Sequence, residues 1–142
     1  MRTGKGKIRE TVVVSLDKGE DLLASLEDVI AEYEIESGVI LSGYGTVDRS
    51  TLHMVTTTGF PPEEYFDKKE GPLEVISLDG IIAEGKLHAH ITLSDTEQAY
   101  GGHLEPGCRI LYLGEVVIGV FGNDSLLTRK ENEHGIPELH IN

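Results

Sequence analysis

Three of the six histidines crowd into one short stretch, as His88-Ala89-His90 and then His103 after Gly101-Gly102. The first two lie in Leu87-His88-Ala89-His90-Ile91-Thr92-Leu93, where apolar and polar residues alternate as on a half-buried strand. Residues i and i+2 of a strand point to one face, with Cα atoms roughly 7 Å apart. Both imidazoles can therefore reach one ion. His103 completes the set from the returning chain. Three neutral imidazoles with a fourth position open are the ligand set of a catalytic-type zinc site, although imidazole also suits iron, nickel and copper. The competing reading leaves His88 and His90 on a solvated polar face beside Thr92 and Ser94, opposite the apolar Leu87, Ala89, Ile91 and Leu93.

One acid interrupts an apolar run. Glu115 stands between Leu111-Tyr112-Leu113 and Val116-Val117-Ile118, where a carboxylate is costly unless paired or solvated. Near a metal it would be the first candidate for proton handling, as general base or as acceptor for a histidine N–H. The alternatives are that strand alternation points it outward or that Arg109 pairs with it. His53, His134 and His140 are read as structural strand and terminal positions.

The elements that must carry these residues follow from patterning. Glu10 to Leu16 reads as a β-branched strand. Asp17, with Glu20 in the capping-box position, is the expected start of a helix whose apolar face is Leu22, Leu23, Leu26, Val29, Ile30 and Tyr33; Gly38 is its expected stop. Val39 to Ser42 and Ser50 to Thr56 read as strands either side of a glycine corner at Gly43-Tyr44-Gly45. Gly59 to Asp67, with Pro61-Pro62, reads as a loop. Pro72 to Ile82 and Leu87 to Leu93 form a hairpin across Ala83 to Lys86, Asp95 to Tyr100 a connection, and Cys108 to Val120 a strand interrupted at Gly114-Glu115. Short turns between successive strands favour antiparallel pairing. The expected architecture is α+β: a curved, mostly antiparallel sheet with one principal amphipathic helix, in a single domain over residues 1–142.

Composition narrows the function. A formal charge of −13 repels phosphate backbones, so unaided DNA binding is disfavoured. The polar Met1 to Lys7 start and the lack of any apolar run near the ~20 residues of a membrane span predict a soluble cytoplasmic protein without a leader. Cys108, the one cysteine, reads as a small buried hydrophobe.

The ordered strings Gly71-Pro72-Leu73-Glu74-Val75-Ile76-Ser77-Leu78-Asp79-Gly80, Leu87-His88-Ala89-His90-Ile91-Thr92-Leu93-Ser94-Asp95, Gly101-Gly102-His103-Leu104 and Pro106-Gly107-Cys108 resemble the plants-and-prokaryotes-conserved (PPC, or PCC) domain. Ordered matches run from Gly19-Glu20-Asp21-Leu22 to Glu115-Val116-Val117-Ile118, nearly the whole chain. The resemblance implies a homotrimer of compact α+β subunits and assigns the matched His88, His90 and His103 to a metal, zinc by preference. Plant members carry a basic AT-hook for DNA. This chain shows none, so it reads as a prokaryotic stand-alone member to which a DNA-binding label does not transfer. Its Pro72-Leu73-Glu74 also departs from the plant Arg-Phe-Glu, so contacts to transcription factors are not carried over. Acetolactate decarboxylase is similar at a greater distance, with a His-x-His pair and a later histidine on zinc. Two functions follow: a trimeric metal protein that polarises a small anionic or carbonyl ligand, as a metal-dependent lyase or hydrolase if it is an enzyme, or a regulatory scaffold. In the scaffold reading, the Phe60-Pro61-Pro62 and Tyr65-Phe66 loop meets protein or nucleoid partners.

Overall fold

A computed structural model describes residues 1–122 and 127–141. Among these residues, eight strands and one helix follow the order β1 (Ile8–Asp17), α1 (Leu22–Glu32), β2 (Ser37–Val55), β3 (Glu64–Ala83), β4 (Lys86–Ser94), β5 (Ala99–Leu104), β6 (Arg109–Phe121), β7 (Leu127–Glu131) and β8 (Pro137–Ile141). The first six form one antiparallel sheet in the order β1-β6-β2-β3-β4-β5, and β7 pairs with β8. β5 also pairs with β2, so β2, β3, β4 and β5 close into a ring. Closure demands curvature, and register shifts at Val47/Arg49 and Val75/Ser77 supply local bends. The expected antiparallel sheet with one helix is what the chain forms.

Several boundaries move. The helix begins at Leu22 because Asp21, rather than Asp17, is the N-cap: Ala24 N–H donates to its Oδ1 at 3.1 Å and Gly107 N–H to its Oδ2 at 2.7 Å. One carboxylate thus caps the helix and ties it to the approach to β6. Asp17 instead closes β1, and its N–H donates to the Glu20 carboxylate at 2.6 Å. The helix stops at Glu32, before Gly38; Glu34 takes the left-handed conformation (φ 51°) while Gly38 enters β2, where a Cβ would lie 2.8 Å from the Gly119 carbonyl. Gly43 to Gly45 does not break the chain into two strands, and Gly114-Glu115 does not interrupt β6. At both places the glycine permits close strand packing: a Cβ on Gly45 would meet the Leu113 carbonyl at 2.4 Å. Glu64 to Asp67, expected in a loop, opens β3 by pairing with Leu52 to Val55.

Leu22, Leu26 and Ile30, spaced four apart, bury one helix face against the alternating residues of the sheet, among them Val14, Leu16, Leu78, Ala89, Ile91, Leu93, Val116 and Ile118. Burying Ala89 and Ile91 inward forces His88 and His90 to the opposite face of β4. Among the described residues, no helix is long and apolar enough to cross a membrane.

Candidate metal centre

His88 and His90 lie side by side on β4 with ring centroids 5.5 Å apart. His90 is registered against His103 of β5, and the His103 ring sits 4.7 Å from His88 and 5.5 Å from His90, edge-on to both. The fold therefore brings the three sequence-predicted histidines together. It adds a fourth: His53 on β2 is the cross-strand partner of His103, with ring centroids 4.5 Å apart.

Glu105 joins the last two. Its Oε1 lies 2.6 Å from His53 Nδ1 and 3.0 Å from His103 Nδ1. With a proton on each Nδ1, one carboxylate oxygen accepts from both rings and leaves each Nε2 lone pair free. Glu64 Oε1 stands 3.9 Å from His53 Nε2, and Phe66, opposite His53, puts its ring 5.4 Å away. Burial is the first cause holding the His88 imidazolium form down, to a pKa of about 4, and the positive charge of Arg129 is the second. Burial, then the neighbouring His53, also lowers His103. Both are thus biased toward the neutral form that ligates metal.

Two glycines make this arrangement possible. A Cβ on Gly101 would lie 2.6 Å from the Ile91 carbonyl, and one on Gly102 would lie 2.8 Å from the His53 carbonyl. They are residues of β5 in tight contact with the neighbouring strands. Glu105 follows His103 by two residues and so shares its face, a signal that strand alternation carries. His53 gave no local signal, since its pairing with His103 spans distant parts of the chain.

Glu115 is not part of this cluster. It is exposed on β6, registered against Tyr44 of β2, and its carboxylate accepts a short hydrogen bond from the Tyr44 hydroxyl. Its partner Tyr44 stands nine residues before His53 on β2, up to about 30 Å along the strand. The phenol's pKa is raised by that bond. Arg109 pairs with Asp48 through two 2.8 Å hydrogen bonds.

The donor chemistry fits a divalent transition metal. One ligand atom from each of His53, His103 and Glu105 lies within 4.8 Å of the others, and the two β4 imidazoles flank His103. Imidazole nitrogen and carboxylate oxygen are zinc ligands, and the shared carboxylate supplies the orienting partner that metal-bound histidines require.

Fold and site together define an α+β sheet protein with a histidine and carboxylate cluster on the face of β4 opposite the buried Ala89 and Ile91. The model of the Plants and Prokaryotes Conserved (PCC) domain matches residues 3–122, and the chain belongs to that family. A metal-containing protein from Archaeoglobus fulgidus has a similar structure, with a TM-score of 0.84 at 23% identity over 97% of this chain and 98% of that one. A plant- and prokaryote-conserved (PPC) protein from Pyrococcus horikoshii gives 0.83 at 25% identity over 99% and 97%. Two curated relatives are bifunctional GlmU proteins of Synechococcus strains, 30% and 31% identical over 87% of this chain, which spans only 19% of their length.

Proposed function

We propose that this chain is a cytoplasmic, homotrimeric metal-binding PCC protein that holds zinc through His88, His90 and His103 and leaves one position for a small anionic or carbonyl ligand. The reading rests on one observation above the others: three imidazoles packed within 5.5 Å, with His103 fixed by a carboxylate shared with His53. The metal-containing Archaeoglobus relative supports it. In this arrangement Glu105 orients His103 and His53 stands behind it; the convergence of His53, His103 and Glu105 also offers those three as an overlapping ligand set sharing His103. Zinc would supply Lewis acidity to a bound carbonyl or water, as in a lyase or hydrolase. Proton handling passes to Glu105, since it touches the cluster and Glu115 does not.

The trimer has separate support. Val13, Leu41, Tyr44, Ile76 and Leu113 expose 44–75% of their surface on or beside the outer face of β1, β6, β2 and β3, an apolar area that a second copy of the chain would cover. Analytical ultracentrifugation checks the mass. The metal is tested by elemental mass spectrometry on untagged protein beside a His88→Ala, His90→Ala variant of confirmed fold. Near one metal per chain, lost in the variant, is the expected result. Metal-free wild type that resists reconstitution refutes the proposal.

A further inference from the structure

His103 and His53 share the Glu105 carboxylate, which fixes how each ring turns. The other two imidazoles of the cluster stand on β4, between β3 and β5. Across from His88 on β3 is Ile81, an alkyl side chain that offers a ring N–H nothing. Across from His90 on the same strand is Asp79.

Directly opposed residues of an antiparallel pair share a face, with Cβ atoms about 4.5–5.5 Å apart. A carboxylate and an imidazole that reach toward each other close such a gap to a hydrogen bond. The pairing here admits little slack. Leu78 and Ile91, one step along, oppose each other and are each 2% exposed, so a slip by one residue would carry core side chains into solvent. On the other side Gly80 faces Ala89, and a Cβ on Gly80 would lie 2.9 Å from the His88 carbonyl, a measure of how closely β3 approaches β4. Asp79 and His90 are both exposed, and neither side chain makes a hydrogen bond or ion pair among the described residues. Each can therefore turn toward the other.

A row of four crosses the sheet: Asp79 on β3, His90 on β4, His103 on β5 and His53 on β2, each the registered partner of the next. His90 thus has an imidazole on one side and a carboxylate on the other. As a metal ligand beside His103, it commits the nitrogen facing β5 and keeps an N–H on the far side of its ring, toward Asp79. Histidines that bind metal ordinarily donate that proton to a carboxylate, a carbonyl or water.

We propose that Asp79 is the positioning residue of His90: its carboxylate accepts the ring N–H that is not given to the metal, as Glu105 does for His103. This rests on the metal-binding reading above and adds to it a residue from a strand that supplies none of the three ligands.

The test measures Zn2+ affinity of the full chain by competition with a chromophoric chelator, for wild type, Asp79→Asn, Asp79→Glu and Glu74→Gln, each of fold confirmed by far-UV circular dichroism. Glu74 is another exposed acid on β3, so its variant removes the same charge from the same strand. Asp79→Asn loses zinc affinity about fivefold, the step from an ionised to a neutral acceptor. Asp79→Glu recovers part of that loss, and Glu74→Gln stays within twofold of wild type. Long-range proton–nitrogen correlation spectra of the zinc-loaded protein add a readout that fold stability does not move: the proton on the His90 nitrogen away from zinc shifts in Asp79→Asn while the His103 signals hold. Affinity of Asp79→Asn within twofold of wild type, an equal loss in Glu74→Gln, an unmoved His90 proton, or total loss of zinc, which would make Asp79 itself a ligand, overturns the inference while the metal reading stands. Wild type that takes up no zinc overturns both.

Discussion

Exchanging Glu105 for glutamine removes one negative charge and leaves the side-chain shape intact. In the native chain a single oxygen serves two imidazoles, at 2.6 Å to His53 and 3.0 Å to His103. A hydrogen bond to an ionised acceptor contributes about 1.5–3 kcal/mol and one to a neutral acceptor about 0.5–1.5. The residues are only partly buried, with side chains 20–23% exposed, so the lower ends of both ranges apply. The difference is about 1 kcal/mol per bond, and the bond to the ligand His103 alone gives roughly a fivefold loss in zinc affinity. That approaches the tenfold to hundredfold range typical of carboxylates that orient metal-bound histidines. Competition against a chromophoric chelator at fixed pH measures it, with far-UV circular dichroism confirming the fold. An affinity within twofold of wild type would refute the orienting role. Complete loss of binding would instead put the carboxylate in direct coordination, in the His53, His103 and Glu105 set.

Gly102→Ala drives a methyl group against the His53 carbonyl at 2.8 Å and should part β5 from β2, lowering both the thermal midpoint and the zinc affinity, whereas Gly59→Ala, with open space around its Cβ, leaves zinc affinity unchanged. Leu26→Ala empties a fully buried position beneath the sheet and costs about 2–5 kcal/mol, read from the urea midpoint. Burial pushes the Cys108 thiol up from 9.0 to about 11, so the folded chain keeps a proton that the unfolded chain releases. Its contribution to stability is therefore full below pH 9 and is lost as pH rises toward 11, and unfolding curves across that interval check it. The same thiol reacts with a thiol reagent at pH 8 only at the rate of unfolding; rapid reaction of native protein refutes its burial.

The side-by-side pair of His88 and His90 was written in local alternation. Leu87, Ala89, Ile91 and Leu93 define a strand face by their two-residue period, and that period alone sets both histidines on the other face. The amphipathic helix was equally legible from Leu22, Leu26 and Ile30, because its period needs no knowledge of what it packs against. Its ends were less so: Asp17 and Asp21 offer similar capping chemistry, and the choice fell to Asp21 because its second oxygen also receives the Gly107 N–H from far along the chain. Glu115 shows the limit of a run read by itself, since whether an acid between apolar residues is buried or outward depends on which face the sheet turns to the helix.

Sequence by itself determined the central runs of β1, β3, β4 and β6, the helix and the pair of histidines on one face, because each is set by periodicity over a few residues. Tertiary structure alone decided that His53 and Glu105 join His103, and that β7 docks against the start of β2. Those neighbours meet through the β2–β5 pairing and the docking of β7, contacts between distant segments whose register is fixed by close backbone approach at Gly101 and Gly102 and by burial of the core face, neither of which has a local signature.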